Sequence, residues 1–123
     1  MPGKRVLVID DDEDQVQTLV VLLKEAGHEV EFATNALIGI EAAKRFRPQF
    51  VLLDLGLPFM DGFEAAHALR TDFAGARFVA ITGRSAPDDY QRSLDAGFEA
   101  HLVKPIDFKT IEKLLDSPPA VSA

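Results

Sequence analysis

Four short apolar runs in this chain each end at a polar or charged side chain. An apolar run bounded by polar residues is typical of a buried strand. Parallel strands have their carboxyl ends at one edge of the sheet, and open α/β sheets bind ligands there. We therefore expect the side chains that follow the runs to converge. The runs are 6–9, 50–53, 78–81 and 102–103, and the residues that follow them are Asp10, Asp11, Asp12, Asp54, Thr82 and Lys104.

Composition narrows the class of protein. The 123 residues fit one domain, and a hydrophobic content of 47% is enough for a core. The chain has no cysteine and no apolar run near the ~18 residues needed to span a bilayer. Because the N-terminus does not resemble a signal peptide, we expect a cytoplasmic protein without membrane insertion. A net charge of −7 disfavours contact with phosphate backbones and predicts no direct nucleic-acid binding.

Strand and helix signals alternate along the whole chain. The alternation favours an α/β fold, with a parallel sheet covered by helices on both faces. We predict five strands and five helices in one domain over 1–116, followed by a flexible tail or linker stub over 117–123. The predicted helix ends are Gly27 and Pro48, and the predicted helix starts are Asp61, Pro87 and Asp107.

The acidic triplet after the first run is a candidate metal site. Consecutive residues cannot all point one way, so at least one of the three acids should face the sheet edge beside Asp54. Clustered carboxylates repel one another, and a divalent cation relieves that repulsion. Mg²⁺ prefers oxygen ligands and often takes only one or two carboxylates beside a phosphate. The alternative is an acidic helix start that is satisfied by the helix dipole alone.

Asp54 is a candidate nucleophile. It follows a wholly apolar run, and carboxylates can attack phosphorus to give an aspartyl phosphate. The attack requires neutralised charge, which a metal and a cation such as Lys104 supply. The hydroxyl of Thr82 can donate to a phosphoryl oxygen. Taken singly, each residue also has an ordinary structural explanation. Asp54 could be a turn carboxylate, Lys104 a surface lysine and Thr82 a β-branched strand residue.

These residues resemble the receiver domain of two-component response regulators, over nearly the whole chain. The resemblance implies a flavodoxin-like, doubly wound sheet of five parallel strands in the order 2-1-3-4-5. The stretch around 96–105 is most similar to receivers joined to hybrid histidine kinases. The matching motifs are Val-Leu-Val-Ile-Asp-Asp-Asp at 6–12, Leu-Leu-Asp-Leu-Gly-Leu-Pro at 52–58, Met-Asp-Gly at 60–62, Ile-Thr-Gly at 81–83 and Leu-Val-Lys-Pro at 102–105.

The resemblance implies a phosphoacceptor and a metal site. Asp54 matches the phosphoacceptor of the family. Asp10 and Asp11 match the acidic pair that binds Mg²⁺, with Asp11 a direct ligand and Asp10 acting largely through water. Gly56 matches the position whose backbone carbonyl binds the metal, so its lack of a side chain does no harm.

The resemblance also implies residues that respond to the phosphoryl group. Thr82 matches the hydroxyl that hydrogen-bonds to it, and Lys104 matches the lysine that pairs with it before a cis bond to Pro105. The switch residue of the family, often Tyr or Phe, lies three positions before the lysine. This chain has His101 there, from which we hypothesise a switch that is weaker or pH-sensitive. The alternative is an ordinary histidine on a surface strand.

The family has characteristic partners. A histidine kinase or a histidine phosphotransfer protein donates the phosphoryl group, and a downstream protein or a covalently linked output domain reads the result. The surface that is read consists of the fourth predicted helix, the fifth strand and the fifth helix. We expect Phe98 and His101 to be part of that surface.

Three other classes of site or protein share part of this pattern of residues. A haloacid dehalogenase phosphatase requires Asp-x-Asp-x-Thr, but Asp14 stands where the threonine belongs. A calcium loop requires a glycine after Asp14 and a closing glutamate, where the chain has Val21. The remaining alternative is a receiver-like binding module that is never phosphorylated. Such modules usually lose an acid, the acceptor or the lysine, and this chain retains all of them.

Overall fold

The computed structural model describes residues 3–56, 62–73, 75–83 and 95–117. Within these ranges the chain forms five strands in one sheet, and four helices. The strands are β1 (Arg5–Ile9), β2 (Glu29–Ala33), β3 (Phe50–Asp54), β4 (Arg77–Thr82) and β5 (Ala100–Val103). The helices are α1 (Glu13–Glu25), α2 (Ala36–Phe46), α3 (Gly62–Asp72) and α4 (Phe108–Asp116).

The sheet has the order β2-β1-β3-β4-β5, and every neighbouring pair of strands is parallel. This order confirms the predicted α/β sheet of five parallel strands. The predicted helix start at Pro87 and the predicted cap Asp61 lie outside the described residues. All strands run the same way, so the ends of β1, β3, β4 and β5 lie side by side at one edge.

Alternate strand residues form two separate cores, one on each face of the sheet. Leu7 and Ile9 belong to the core beneath α2 and α3, whereas Val6 and Val8 belong to the core beneath α1 and α4. All four side chains are fully buried. Because helices cover both faces of the sheet, the sequences of the central strands are continuously apolar and do not alternate between apolar and polar residues.

Side-chain caps begin three of the helices. The carboxylate of Asp12 accepts a hydrogen bond from the N–H of Gln15 at 3.2 Å, and Asn35 caps α2 in the same way. Asp107 caps α4, which confirms the predicted start of that helix. Each cap satisfies an N–H group that a helix start otherwise leaves without a partner.

Two predicted helix ends are confirmed, and a different type of residue ends each helix. The chain turns after α1 at Gly27, whose φ of +97° suits a residue without Cβ. Helix α2 ends at Arg47, directly before Pro48, and Arg47 adopts the left-handed conformation with φ of +53°. That conformation costs an ordinary L residue about 1–2 kcal/mol.

Helix α2 approaches the end of β1 closely at Gly39. A Cβ at this position would lie 2.5 Å from Cδ1 and 2.9 Å from Cγ1 of Ile9. Glycine inside a helix costs about 1 kcal/mol relative to alanine, and here its lack of a side chain allows the close approach. Because Ile9 is fully buried and directly precedes Asp10, this contact helps to fix the strand end that carries Asp10.

Phe98 lies in the core and not on the surface. Its side chain is 3% exposed and belongs to the core beneath α2 and α3. Its ring packs edge-on against Phe78, with 6.4 Å between ring centroids and 84° between ring planes. The expectation that a partner reads Phe98 is therefore wrong for this structure. The cause is the pairing of this segment with β4, where the N–H of Glu99 donates to the carbonyl of Phe78.

Replacement of Arg47 by glycine is expected to raise the free energy of unfolding by about 1 kcal/mol, because glycine adopts the left-handed conformation without a Cβ penalty. The exposed side chain is lost, but the backbone carbonyl that accepts from Nε of Arg5 stays in place. Chemical denaturation measures the change. Arg45→Gly, at an exposed position inside α2, is the matched control and should lower stability. Loss of stability in both variants would contradict the strain argument.

Candidate functional site

The carboxyl ends of four neighbouring strands bring the sequence-predicted residues to one edge. Asp10 follows β1, Asp54 ends β3, Thr82 ends β4 and Lys104 follows β5. Two backbone hydrogen bonds continue the pairing at this edge: Leu55 N–H donates to the carbonyl of Ile81, and Lys104 N–H donates to that of Thr82, each at 2.8 Å. The convergence predicted from the apolar runs is therefore present.

Asp10 is a fully buried carboxylate. Its backbone N–H donates to the carbonyl of Ala33, and its Oδ1 accepts from the N–H of Asp12 at 3.0 Å. Burial is the main reason that the pKa of Asp10 is raised to about 6. The hydrogen bond from Asp12 opposes this rise, the carboxylate of Asp54 adds to it, and Lys104 again opposes it.

Asp54 is almost fully buried, with a side-chain exposure of 6%. Its two oxygens face different donors. Oδ1 accepts from the N–H of Gly56 at 2.8 Å, and Oδ2 lies 3.2 Å from Nζ of Lys104. A side chain at position 56 would add a Cβ 3.4 Å from Oδ1 of Asp54, so Gly56 leaves this side of the carboxylate uncrowded.

Lys104 bridges the two buried carboxylates. Its Nζ donates to Oδ1 of Asp10 and to Oδ2 of Asp54, both at 3.2 Å, and lies 3.1 Å from Oδ2 of Asp10. Burial lowers the pKa of Lys104, but the contacts with Asp10 and Asp54 outweigh it, and the pKa lies above its usual value. The bond to Pro105 is cis, as the family resemblance implies.

Three acids at the sheet edge lie close enough together to share one divalent cation. One carboxylate oxygen from each of Asp10, Asp11 and Asp54 lies within 4.8 Å of the others. Oδ2 of Asp10 is buried and accepts no hydrogen bond from the described residues, although the ammonium of Lys104 is near. Asp11 is exposed, so the group is accessible from solvent. An all-oxygen donor set with an unsatisfied buried oxygen fits a hard cation such as Mg²⁺.

The sequence prediction missed the role of Asp12, the third acid of the triplet. Asp10 is buried, Asp11 faces solvent, and Asp12 both caps α1 and donates its N–H to Asp10. The signal for the cap was available, since Asp12 stands three residues before Gln15 in a capping-box pattern. His101 lies on β5 opposite Ala80 and is half-buried, so it is not fully exposed to a partner in this structure.

None of the helices within the described ranges has the length and apolar character needed to cross a membrane.

Comparison with known proteins identifies the family. Residues 6–116 match the family model described as "Response regulator receiver domain". The chain is 36% identical over 101 residues to the transcriptional regulatory protein PrrA of Mycobacterium tuberculosis, covering 82% of this chain and 43% of that protein. It is 31% identical over 108 residues to the DNA-binding response regulator MtrA of Mycobacterium leprae, covering 88% of this chain and 48% of that protein. The chain thus spans less than half the length of these relatives.

Solved structures show the same architecture. A CheY-like receiver domain protein from Methanospirillum hungatei JF-1 matches with a TM-score of 0.84 and 29% identity, covering 93% of this chain and 94% of that one. A response regulator from Burkholderia pseudomallei, solved with a phosphorylated aspartic acid, a calcium ion and citrate, matches with a TM-score of 0.86 and 27% identity. That match covers 94% of this chain and 68% of the other. By its sequence, its strand order and its acidic edge, this chain belongs to the response regulator receiver domain family.

Proposed function

We propose that this chain is the phosphoacceptor of a two-component phosphorelay, and that Asp54 receives a phosphoryl group from a phosphohistidine. The observation that supports this most is the arrangement around Asp54. A nearly buried carboxylate lies within 3.2 Å of a lysine ammonium and beside two further carboxylates that fit a divalent cation. An acceptor carboxylate needs these neighbours, because it must approach a phosphoryl group of its own charge.

The transfer is a displacement at phosphorus. An oxygen of Asp54 forms a bond to phosphorus while the bond from phosphorus to the histidine nitrogen breaks, and the imidazole leaves with the bonding electron pair. Lys104 neutralises charge on the phosphoryl oxygens, and Thr82 donates its hydroxyl to one of them. Asp10, Asp11 and Asp54, with the carbonyl of Gly56, would hold Mg²⁺. When bound, Mg²⁺ neutralises the carboxylates and the incoming phosphoryl group.

Phosphorylation is proposed to act through Lys104 and Thr82. Both reorient toward the acyl phosphate, which shifts the population of the surface around β5, His101 and α4 between two states. The domain catalyses its own phosphorylation and dephosphorylation. We assign 1–116 to this receiver domain and 117–123 to a tail or linker.

The proposed partners follow from this role. The phosphodonor is a histidine kinase or a histidine phosphotransfer protein in the cytoplasm. The target is a downstream protein or a covalently linked output domain. MtrA is named as a DNA-binding response regulator, but this chain spans only about half of that protein. We assign no direct nucleic-acid contact to this domain, because its net charge is −7.

Incubation with acetyl phosphate and Mg²⁺ is expected to add the mass of one phosphoryl group to the chain, and Asp54→Asn is expected to abolish the addition. Intact-mass spectrometry measures both. Asp14→Asn removes an exposed acid from α1 and is the matched control, which should be modified normally. An unmodified wild-type chain, under conditions that modify another receiver, would favour the binding-module interpretation.

Lys104→Met is expected to change phosphorylation and metal binding in opposite directions. The phosphorylation rate should fall by about 100-fold, because a charge that stabilises the transition state is lost. Mg²⁺ should bind more tightly, because the ammonium no longer competes for the same two carboxylates. Rate measurements with acetyl phosphate and titration calorimetry with Mg²⁺ check the two effects. Lys109→Met, at an exposed position of α4, should change neither.

In metal-free protein, the contribution of Asp10 to the free energy of unfolding is expected to fall as pH rises from about 4 to about 6. Asp10 has a pKa of about 6 in the folded chain against 3.8 when unperturbed, so the folded state binds more protons in this window. Its ionisation therefore costs the folded state up to about 3 kcal/mol, which is absent at low pH and complete above pH ~6. Urea unfolding in EDTA, compared with Asp10→Asn, measures this contribution. Equal pH slopes for the two proteins would refute it.

A further inference from the structure

Arg77 connects several elements at the sheet edge opposite the phosphorylation site. Its guanidinium donates two hydrogen bonds to the carboxylate of Glu99, one of them 2.8 Å from Nη2 to Oε2. Its Nη1 donates to the backbone carbonyl of Ser117, directly after α4, at 2.6 Å. The guanidinium carbon also lies 4.5 Å from the ring centroid of Phe50, at the start of β3. One side chain thus contacts the first residue of β3, the residue before β5 and the residue after α4.

The pair of Arg77 and Glu99 is well shielded from solvent. Both side chains are 14% exposed. A planar guanidinium that binds a carboxylate at two points fixes distance and orientation together, which a lysine cannot do. A shielded pair is also screened less by salt than a surface pair. Movement of Glu99 is therefore expected to move the guanidinium and its contact with Ser117.

The same two strands lead from this pair to the phosphorylation site. β4 begins at Arg77 and ends at Thr82, and β5 follows Glu99 and is followed by Lys104. Backbone hydrogen bonds join the two strands at both ends, from Glu99 N–H to the carbonyl of Phe78 and from Lys104 N–H to that of Thr82. A displacement of Thr82 or Lys104 can thus reach Arg77 through the paired backbone.

The end of α4 has space to respond. A cavity of about 420 Å³ borders both Arg77 and Ser117. Close-packed protein interiors resist small shifts, whereas an element beside an open cavity can move without overlap. The other residues that line the cavity are Lys4, Gln49, Phe50, Gly75 and Asp116.

We propose that Arg77 is a positioning residue that couples the phosphorylation state of Asp54 to the backbone at Ser117. The proposal rests on the proposed function, because phosphorylation supplies the displacement of Thr82 and Lys104. The route is Lys104, β5, Glu99, Arg77 and the carbonyl of Ser117. Its output is the position of the backbone at Ser117, directly after α4.

Hydrogen–deuterium exchange of the complete 123-residue chain tests the coupling. Protection of the amides at 113–117 is measured with Mg²⁺ alone and with Mg²⁺ plus beryllofluoride, a stable mimic of the phosphoryl group. In wild type, the exchange rates in the two states are expected to differ by about fivefold or more. Arg77→Met should abolish the difference. Glu99→Gln, which keeps the side-chain shape and removes its charge, should reduce it strongly even if Arg77→Met does not fold.

Arg70→Met is the matched control. Arg70 donates to the carbonyl of Ala96, so it also contacts the segment before β5, but it does not contact Ser117. This variant should keep the wild-type difference at 113–117. The proposal is overturned if exchange at 113–117 still differs between the two states in both Arg77→Met and Glu99→Gln. It is also overturned if the wild-type chain shows no such difference.

Phosphoryl incorporation, measured by intact mass on the same proteins, distinguishes failure of the coupling from failure of the proposed function. If wild type takes up the phosphoryl group without any change at 113–117, only the coupling is refuted. If wild type takes up no phosphoryl group, the proposed function is refuted and the coupling with it.

Discussion

Two carboxylates buried at a sheet edge, with a lysine ammonium between them, form the interaction on which the rest of this structure depends. Asp10 and Asp54 lose nearly all contact with water, and their mutual repulsion adds to that cost. Lys104 offsets the loss of hydration and the repulsion only if it contacts both acids at once. Asp10 is 94 residues away from it in sequence, and Asp54 is 50 residues away. The strand order satisfies this condition, since it places the ends of β1, β3 and β5 along one edge. The charges of the site are therefore balanced only in a sheet with this strand order.

Much of this arrangement could be predicted from the sequence because the apolar runs are short and stop abruptly. Each run gives a strand, and the residue after it gives a strand end, so parallel pairing brings Asp10, Asp54 and Lys104 to one edge of the sheet. The strand order that makes them neighbours is implied by the family resemblance. What could not be predicted is which atoms meet. The double contact of Lys104 and the burial of Phe98 depend on side-chain directions between distant segments. The pattern of residue types along a sequence does not contain those directions.

Strand register is a second limit on sequence prediction. A strand with one polar face is locked in register, because a slip by one residue would expose its apolar side chains. β1 and β3 are apolar on both faces, so their hydrophobic pattern tolerates a slip. The polar groups at the strand ends remove that freedom. The hydrogen bonds from Nζ of Lys104 to Oδ1 of Asp10 and to Oδ2 of Asp54 would both be lost in a slipped sheet. The site residues thus help to define the fold that positions them.

The close approach of Gly39 to Ile9 has a consequence for the evolution of the family. An alanine at position 39 would overlap Cδ1 and Cγ1 of Ile9, and alanine at position 9 lacks both of these carbons. The two positions therefore form a compensating pair, in which a larger residue on the helix requires a smaller one on the strand. Such a pair should covary among relatives even though neither residue touches the phosphoryl group. Sequence change in α2 is thereby constrained by the strand end that carries the buried acid.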